Sequence, residues 1–564
     1  MKTHAHIKHI IIALILLIVV NVVASAVFTR VDLTQDQRYT LSSAATSIVE
    51  DVSSPMVIDV FLEGDFPAEF KKLQNETRYI LEEFQAKNPN IRFFFSNPIE
   101  EGSDAKTVAQ QFADYGMKPT NLTVIRNGKE TQDLLFPYAM VNYNDQAIPV
   151  SLLKNKLGAS REALVAASVQ NLEYAFADAF TKITKPKAKK IAVLKGLDEL
   201  PDARIADMFK TLQESYYIAP FPLKAIEEDA PQALKALNKT FDLVVALKPT
   251  KPFTDAQKLV IDQYIMNGGK ALWLIDQVAM ETDSLYSNDG TTLAYPRMLN
   301  LKDQFFKYGI RMEPQLVQDL YAAPLTVAQG EGSESQYVQL PWFYQPLVTP
   351  KDNHPITTNL EKQIKFNYAN PIDTLSNTSD LTKTVLLESS VLTKLTGTPA
   401  TVSLENIGQE PDPTQFTNGS VPLAVLVEGT FTSAFKNRVL PVDLGDIRFR
   451  ESARIPTKQV FIADGDLIAN DIDRSGRPLA LGFDKFTFAE YGNKEFLLNT
   501  VHYLLDDSGL INIRAKEIVL PFLDRQKTFA SLSYWQALCL GLPLGLLAIF
   551  GVVYTTIRKR KYAR

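Results

Sequence analysis

Apolar and polar residues alternate along most of the chain, and the period of the alternation changes from segment to segment. "PMVIDVFLEG" and "IRFFFSNP" read as strands on either side of "AEFKKLQNETRYILEEFQAKN", whose apolar residues recur three and four apart, as on one face of a helix. "DAKTVAQQFADYG" predicts a further helix. "NLTVIRNGKETQDLLF" predicts two strands across a turn at Asn127–Gly128, because Asn-Gly supplies the positive φ of a tight hairpin. Residues 159–183 predict a long helix running into the basic link "TKPKAKK". Beyond it, the apolar runs "KIAVLKG", "FDLVVALKP" and "KALWLID" alternate with the helical patterns "DARIADMFKTLQESY" and "DAQKLVIDQYIM". Such alternation calls for a parallel sheet covered on both faces. The stretch 365–445, rich in Thr, Asn and Pro, holds the strands "TVLLESS" and "PLAVLVEG". The α/β pattern resumes with "KQVFIADGD" and ends on the amphipathic "NKEFLLNTVHYLLDDSG".

Two longer apolar runs flank this body. Ile10 to Phe28 carries no charge, and neither does Tyr534 to Ile557, so each is long enough to cross a bilayer. Lys2 and Lys8 precede the first run, and Arg558, Lys559, Arg560, Lys561 and Arg564 follow the second; the excess of basic residues predicts both termini in the cytoplasm and the body on the opposite side, which for a cell inner membrane is the periplasm. "ASA" at Ala24–Ala26 supports a second reading of the first run, as a cleaved export signal. "GLPLG" places Gly541 and Gly545 four apart, the spacing that lets membrane helices pack closely.

The predicted organisation is therefore a cytoplasmic N-terminus (1–9), a span (10–29), an α/β domain (30–158), a connecting helix and linker (159–187), and a parallel-sheet α/β domain in two parts (188–280 and 455–512). An irregular, β-rich insertion (281–454) separates those parts. A juxtamembrane segment (513–533), a second span (534–557) and a basic tail (558–564) complete the chain. The β-α-β-α-β-β order of the first domain resembles a thioredoxin-like fold, but its redox loop would fall at Glu63–Phe70, which holds no cysteine.

Composition narrows the chemistry. The 564 residues are 46% hydrophobic, enough for several cores, and the net charge of −5 argues against a nucleic-acid partner. The one cysteine, Cys539, lies in the second apolar run, so the chain forms no internal disulfide and no thiolate metal cage. No GxSxG elbow or Walker loop is present, since Lys270 of "NGGK" is followed by Ala271, and the five histidines do not supply a triad or a three-His metal site. The expectation is a chain without catalytic residues, metal or cofactor.

Several stretches together resemble a known family: "RVDLTQDQRYTLS" (Arg30–Ser42), "DQYIMNGGKALWLID" (Asp262–Asp276), "NHPITTNL" (Asn353–Leu360), "VFIADGDLIAND" (Val460–Asp471) and "GNKEFLLNTVHYLL" (Gly492–Leu505). With the flanking apolar runs they are similar to the GldG family, the gliding-associated accessory or "substrate-binding" component of a bacterial ABC transport system. The resemblance implies a glutamine-amidotransferase-like α/β domain. It also implies partnership with a membrane permease and a cytoplasmic ATPase, and a role in gliding motility and associated protein secretion of Bacteroidetes. It carries no catalytic residues over to this chain.

In doubly wound sheets ligands gather beyond the C-terminal strand ends, here Lys195–Asp198, Lys248–Pro252 and Asp276–Gln277. Asp276, Asp464 and Asp466 are therefore candidate ligand or docking positions. Against an ion site, "DGDLIANDIDRS" has Ala469 where a calcium loop needs glycine, so the plainer reading of Asp464 or Asp466 is a cap on a strand-to-helix turn. Trp342, Phe343 and Tyr344 in "LPWFYQPLVTP" form a candidate docking edge for envelope proteins or glycans, with an ordinary apolar core as the alternative. Three functions follow: a noncatalytic scaffold subunit, a solute- or glycan-binding module, and a carboxylate-dependent enzyme acting on glycans.

Overall fold

A computed structural model describes residues 15–18, 32, 40–64, 66–99, 105–126, 129–154, 160–287, 289–329, 336–351, 353–358, 360–376, 380–506, 509–515 and 529–562. Contacts divide the chain into residues 1–517 and residues 518–564. The first unit is built around a seven-stranded sheet. Tyr217–Pro222, Lys190–Lys195, Leu243–Leu247, Lys270–Leu274 and Thr457–Ile462 run parallel in that spatial order. Pro422–Gly429 and Leu381–Glu388 extend the sheet antiparallel beyond Thr457–Ile462.

All five residues of Leu243–Leu247 are buried, because both faces of the sheet are covered. Val244, Ala246, Ala271, Trp273 and Phe461 enter one core with helices Ala230–Thr240 and Asp255–Met266. Val245, Leu247, Leu272, Val460 and Ile462 enter the other with Asp202–Leu212 and Asn493–Leu505. The Asp255–Met266 helix starts on a reciprocal capping box between Thr254 and Gln257. It stops at Asn267 and Gly268, whose φ of +99° is open to glycine, and a Cβ on Gly269 would fall 2.3 Å from the Tyr264 ring.

Three expectations are corrected. The main sheet is mixed, not parallel: "PLAVLVEG", assigned to the insertion, has an unbroken buried run and takes an inner place in the sheet. Among the described residues the first domain shows no thioredoxin-like closure. Its sheet runs Ile91–Phe95, Met56–Val60, Tyr138–Tyr143, Gln146–Ser151, while Thr120–Arg126 and Lys129–Leu135 pair only with each other. The Asn127–Gly128 turn lies outside the described residues. Tyr138–Tyr143 takes the inner position because Ala139, Val141 and Tyr143 bury one face against Val60, Ile58 and Met56.

The third correction concerns the membrane topology. Among the described residues one helix is long and apolar enough to cross a membrane, Leu532–Tyr562, with a mean hydropathy of 2.2 over its apolar window. Of the expected first span only residues 15–18 are described, as helix, and the rest lie outside the described residues. A double-spanning chain with both termini cytoplasmic is therefore not supported. Pro543 lies within the Leu532–Tyr562 helix, and a Cβ on Gly541 or Gly545 would meet nothing within 4 Å.

The connecting helix Arg161–Thr184 lies in the chain between the four-stranded sheet and the seven-stranded sheet. Phe176 and Phe180 meet Phe84 edge-on at one side, while Arg514 sits over the ring of Tyr174 at 5.0 Å. His502, on the Asn493–Leu505 helix, packs its ring 5.6 Å from Tyr216 and lines a cavity of about 260 Å³ with Tyr174 and Asp178. Burial lowers its pKa to about 4, against the opposing pull of Asp178. The unfolded chain binds a proton near pH 6.5 that the folded chain refuses until about pH 4. Stability held above pH 6.5 is thus lost as pH falls through that window. Between pH 7.5 and 5 this group should remove about 2 kcal/mol. The pH-dependent loss, read from urea midpoints, should shrink by about that amount in His502→Leu.

Candidate functional site

Three parallel strands end at one cluster of charges. Lys248 follows Leu243–Leu247, Asp276 lies two residues beyond Lys270–Leu274, and Asp464 and Asp466 follow Thr457–Ile462. Lys248 adopts φ +46° as the chain leaves the sheet, with its backbone N–H still donating to the Leu274 carbonyl at 2.9 Å. Its Nζ, almost wholly buried, lies 2.7 Å from Asp466, 2.8 Å from Glu281 Oε2 and 3.6 Å from Asp276 Oδ2. Glu281 also accepts from Arg297 Nη2 at 3.0 Å, so a second cation closes the group.

The two most buried carboxylates are held by backbone. Asp276 Oδ1 accepts the Gly465 N–H at 2.5 Å. Asp464 Oδ2 accepts from Asn367 N at 2.6 Å, and its Oδ1 accepts from Asp466 N at 2.7 Å, capping the 3-10 turn Gly465–Ile468. Gly465 has to be glycine: a Cβ there would lie 2.5 Å from Lys248 Cγ and 3.1 Å from Asp276 Oδ1. Burial raises Asp276 to about 6 despite the neighbouring Lys248, and raises Asp464 well above the usual carboxylate range, helped by repulsion from Asp276 and Asp466. Burial opposes the charge on Lys248 as well, but Asp466, Asp276 and Glu281 outweigh it and push the lysine pKa up.

The structure thus brings the predicted Asp276, Asp464 and Asp466 together with Lys248, which the sequence marked only as the start of a strand end, and adds Glu281 and Arg297, which sequence reasoning missed. A lysine placed directly after the apolar run "FDLVVAL" is the signal that was available, because its ammonium has to meet buried carboxylates there. The arrangement balances charge through hydrogen bonds and holds no nucleophile. Among the described residues no group of three His, Cys, Asp or Glu is placed to hold a metal ion.

The aromatic triplet lies on the strand Gln336–Val348, with Trp342 buried, Phe343 and Tyr344 half-buried, and Phe343 on the opposite face from the other two. Trp342 is buried and donates its Nε1–H to the Tyr368 hydroxyl at 3.2 Å. Phe343 meets Phe416 edge-on, and the Tyr344 hydroxyl accepts from Gln318 Nε2 at 3.2 Å. Trp342 and Tyr344 pack with Tyr368 in one apolar cluster, beside the Asn367 that binds Asp464. They serve as core for the β-rich segment, the alternative that the sequence left open.

Residues 188–500 match a family described as "ABC-type uncharacterized transport system". The chain belongs to this family. It is an accessory component of an ABC-type transport system, with a noncatalytic, scaffold role, in agreement with the GldG resemblance. Residues 35–142 match a second family, "Domain of unknown function (DUF7088)". No curated protein matches the chain. Among solved structures, "mmIFT52 N-terminal domain" is similar at 12% identity with a TM-score of 0.31, over 57% of this chain and 99% of that one. At that score the likeness carries no argument.

Lys248→Met tests whether the cluster is structural. Removing the lysine leaves Asp466 and Asp276 uncompensated and should cost about 3–5 kcal/mol at pH 8. The cost should shrink as pH falls from 8 toward 6, because without Lys248 Asp276 takes up its proton above the value of about 6 that it has beside the lysine. Urea denaturation of both proteins across pH 5–8 reads this difference.

Proposed function

We propose that this accessory protein acts by docking onto a membrane permease and, through it, a cytoplasmic ATPase, with the helix Leu532–Tyr562 as its anchor beside them. The carrying observation is the family match over residues 188–500, the part of the chain that contains the seven-stranded sheet. The closed charge cluster supports the same reading. The C-terminal strand ends, where doubly wound sheets hold small ligands, are filled here by Lys248, Asp276, Asp464 and Asp466, whose hydrogen bonds turn toward one another and toward backbone. Asp276, Asp464 and Asp466 then hold the sheet ends, and the Trp342–Tyr344 stretch stiffens the β-rich segment. Neither set touches a transported substrate.

The apolar window of Leu532–Tyr562 suits an anchor, and its last turn carries Lys559, Arg560 and Lys561, which favour a negatively charged membrane surface. Gly541 and Gly545 leave one side of that helix shallow, and we propose that a permease helix packs there.

Purification of the full-length protein in mild detergent, followed by mass spectrometry, tests the reading. A polytopic permease and an ATPase should be recovered in constant ratio, and Gly541→Leu with Gly545→Leu should reduce that recovery severalfold while urea stability of residues 1–517 stays unchanged. Recovery of this chain alone would overturn the proposal.

A further inference from the structure

The strand Thr291–Pro296 is paired on both sides, but not along its whole length. Thr291–Ala294 pair with Ala400–Ser403 on one edge, and Tyr295–Pro296 pair with Val278–Ala279 on the other. Two flanking bonds set which backbone groups point each way. Leu404 N–H donates to the Gly290 carbonyl at 2.7 Å, and Arg297 N–H donates to the Gln277 carbonyl at 2.8 Å. In an antiparallel ladder this parity directs the backbone bonds of Thr292 and Ala294 toward Ala400–Ser403, and those of Tyr295 toward Ala279. Leu293 shares the parity of Tyr295, so its N–H and C=O face the second edge. The chain opposite, at Glu281, has already left the strand for the helix Thr282–Ser287. Leu293 sits opposite Thr401 in the register with Ala400–Ser403, but at this parity its N–H and C=O turn away from that strand, and among the described residues no strand lies opposite them on the second edge.

That open edge borders a hollow of about 590 Å³ lined by Thr250, Pro252, Glu281, Tyr295, Arg297 and Met298. Arg297 lies at its wall with a side chain only 9% exposed. Its Nε donates to the Val278 carbonyl at 3.4 Å and its Nη2 to Glu281, which leaves Nη1 without a protein acceptor among the described residues. The rim is apolar and exposed: Leu293 at 56%, Tyr295 at 55% and Met298 at 79%.

We propose that this edge is a docking slot for an extended, uncharged peptide segment of a partner protein, which pairs with the Leu293 backbone and offers a carbonyl oxygen to Arg297. Charge selects a neutral occupant. Of the residues lining the hollow, the charged ones are Arg297 and Glu281, which pair at 3.0 Å, so the wall carries no net charge and does not draw in an ion of either sign. A peptide carbonyl fills Nη1 without adding charge. Alternate side chains of an extended segment would fall on Leu293, Tyr295 and Met298, which gives the slot a preference for apolar residues two apart. The slot is read from the strand edge alone and does not depend on which transport subunits accompany the chain.

The test uses the full-length protein in detergent and a synthetic library of eight-residue peptides, with affinities measured by fluorescence polarisation. Enriched peptides should be uncharged and apolar at alternate positions, and N-methylation of one central amide should weaken binding at least tenfold. Leu293→Pro removes an N–H that the fold does not use, at an edge position where proline is tolerated. It should weaken binding as much while leaving the melting temperature unchanged. Leu293→Glu keeps the backbone and introduces a charge, and should weaken binding too. The proposal is overturned if nothing is enriched over the Leu293→Pro protein, or if N-methylated peptides bind as well as their parents. Self-association of the chain that Leu293→Pro abolishes would also overturn it, by assigning the edge to a second copy.

Discussion

Lys248 is the point on which the α/β body depends. A parallel sheet brings its strand ends together at one edge, and here three of those ends carry Lys248, Asp276 and the Asp464–Asp466 pair. Without the ammonium, the buried acids would repel one another in a medium that screens them poorly. With it, each carboxylate has a cation, a backbone donor or both, and the three strands are tied at their ends as well as along their ladders. The close packing this needs explains Gly465, where any side chain would displace Lys248.

The same cluster anchors what lies above the sheet. Asn367 donates its backbone N–H to Asp464. Asn370 accepts from Gln277 N at 2.6 Å and donates its own backbone N–H to the Ala463 carbonyl at 2.9 Å. Through these bonds the β-rich segment roofs the strand ends that in other doubly wound sheets stay open to a ligand. Tyr368, between the two asparagines, then receives the Trp342 indole N–H and so passes the constraint to the long Gln336–Val348 strand. With the usual cleft filled from within, an open backbone edge is found farther out, at Leu293 on the Thr291–Pro296 strand. That distribution suits a protein that works by holding others in place.

Much of this was legible in the residues, and the limits have physical causes. The central strands and their covering helices follow from apolar period alone, and the helix stop at Asn267–Gly268 follows from glycine's conformational freedom. The capping role of Asp464 was readable from a strand followed by turn formers. "PLAVLVEG" was recognised as a strand but not as a member of the main sheet, because period reports burial and not which neighbour provides it. "YAMVNYNDQAIPV" was passed over in favour of the Asn-Gly hairpin, since local turn chemistry cannot report which hairpin meets the Met56–Val60 strand. The aromatic triplet leaves rim and core both open in the sequence, because its partners Tyr368, Phe416 and Gln318 come from segments distant in the chain.

By itself the sequence determined the α/β alternation, the apolar run near the C-terminus, the poverty of nucleophiles and metal ligands, and the family likeness. Each is a property of residue type and local spacing. Only the tertiary structure decided that Lys248, Asp276, Glu281, Arg297 and Asp466 form one charge group, since Lys248 and Asp466 lie 218 positions apart in the chain and no local pattern couples them. It also decided the mixed order of the sheet and, among the described residues, left one edge of Leu293 with no strand opposite. Pairing between distant strands depends on which surfaces bury each other best, and that competition is settled by the whole fold at once.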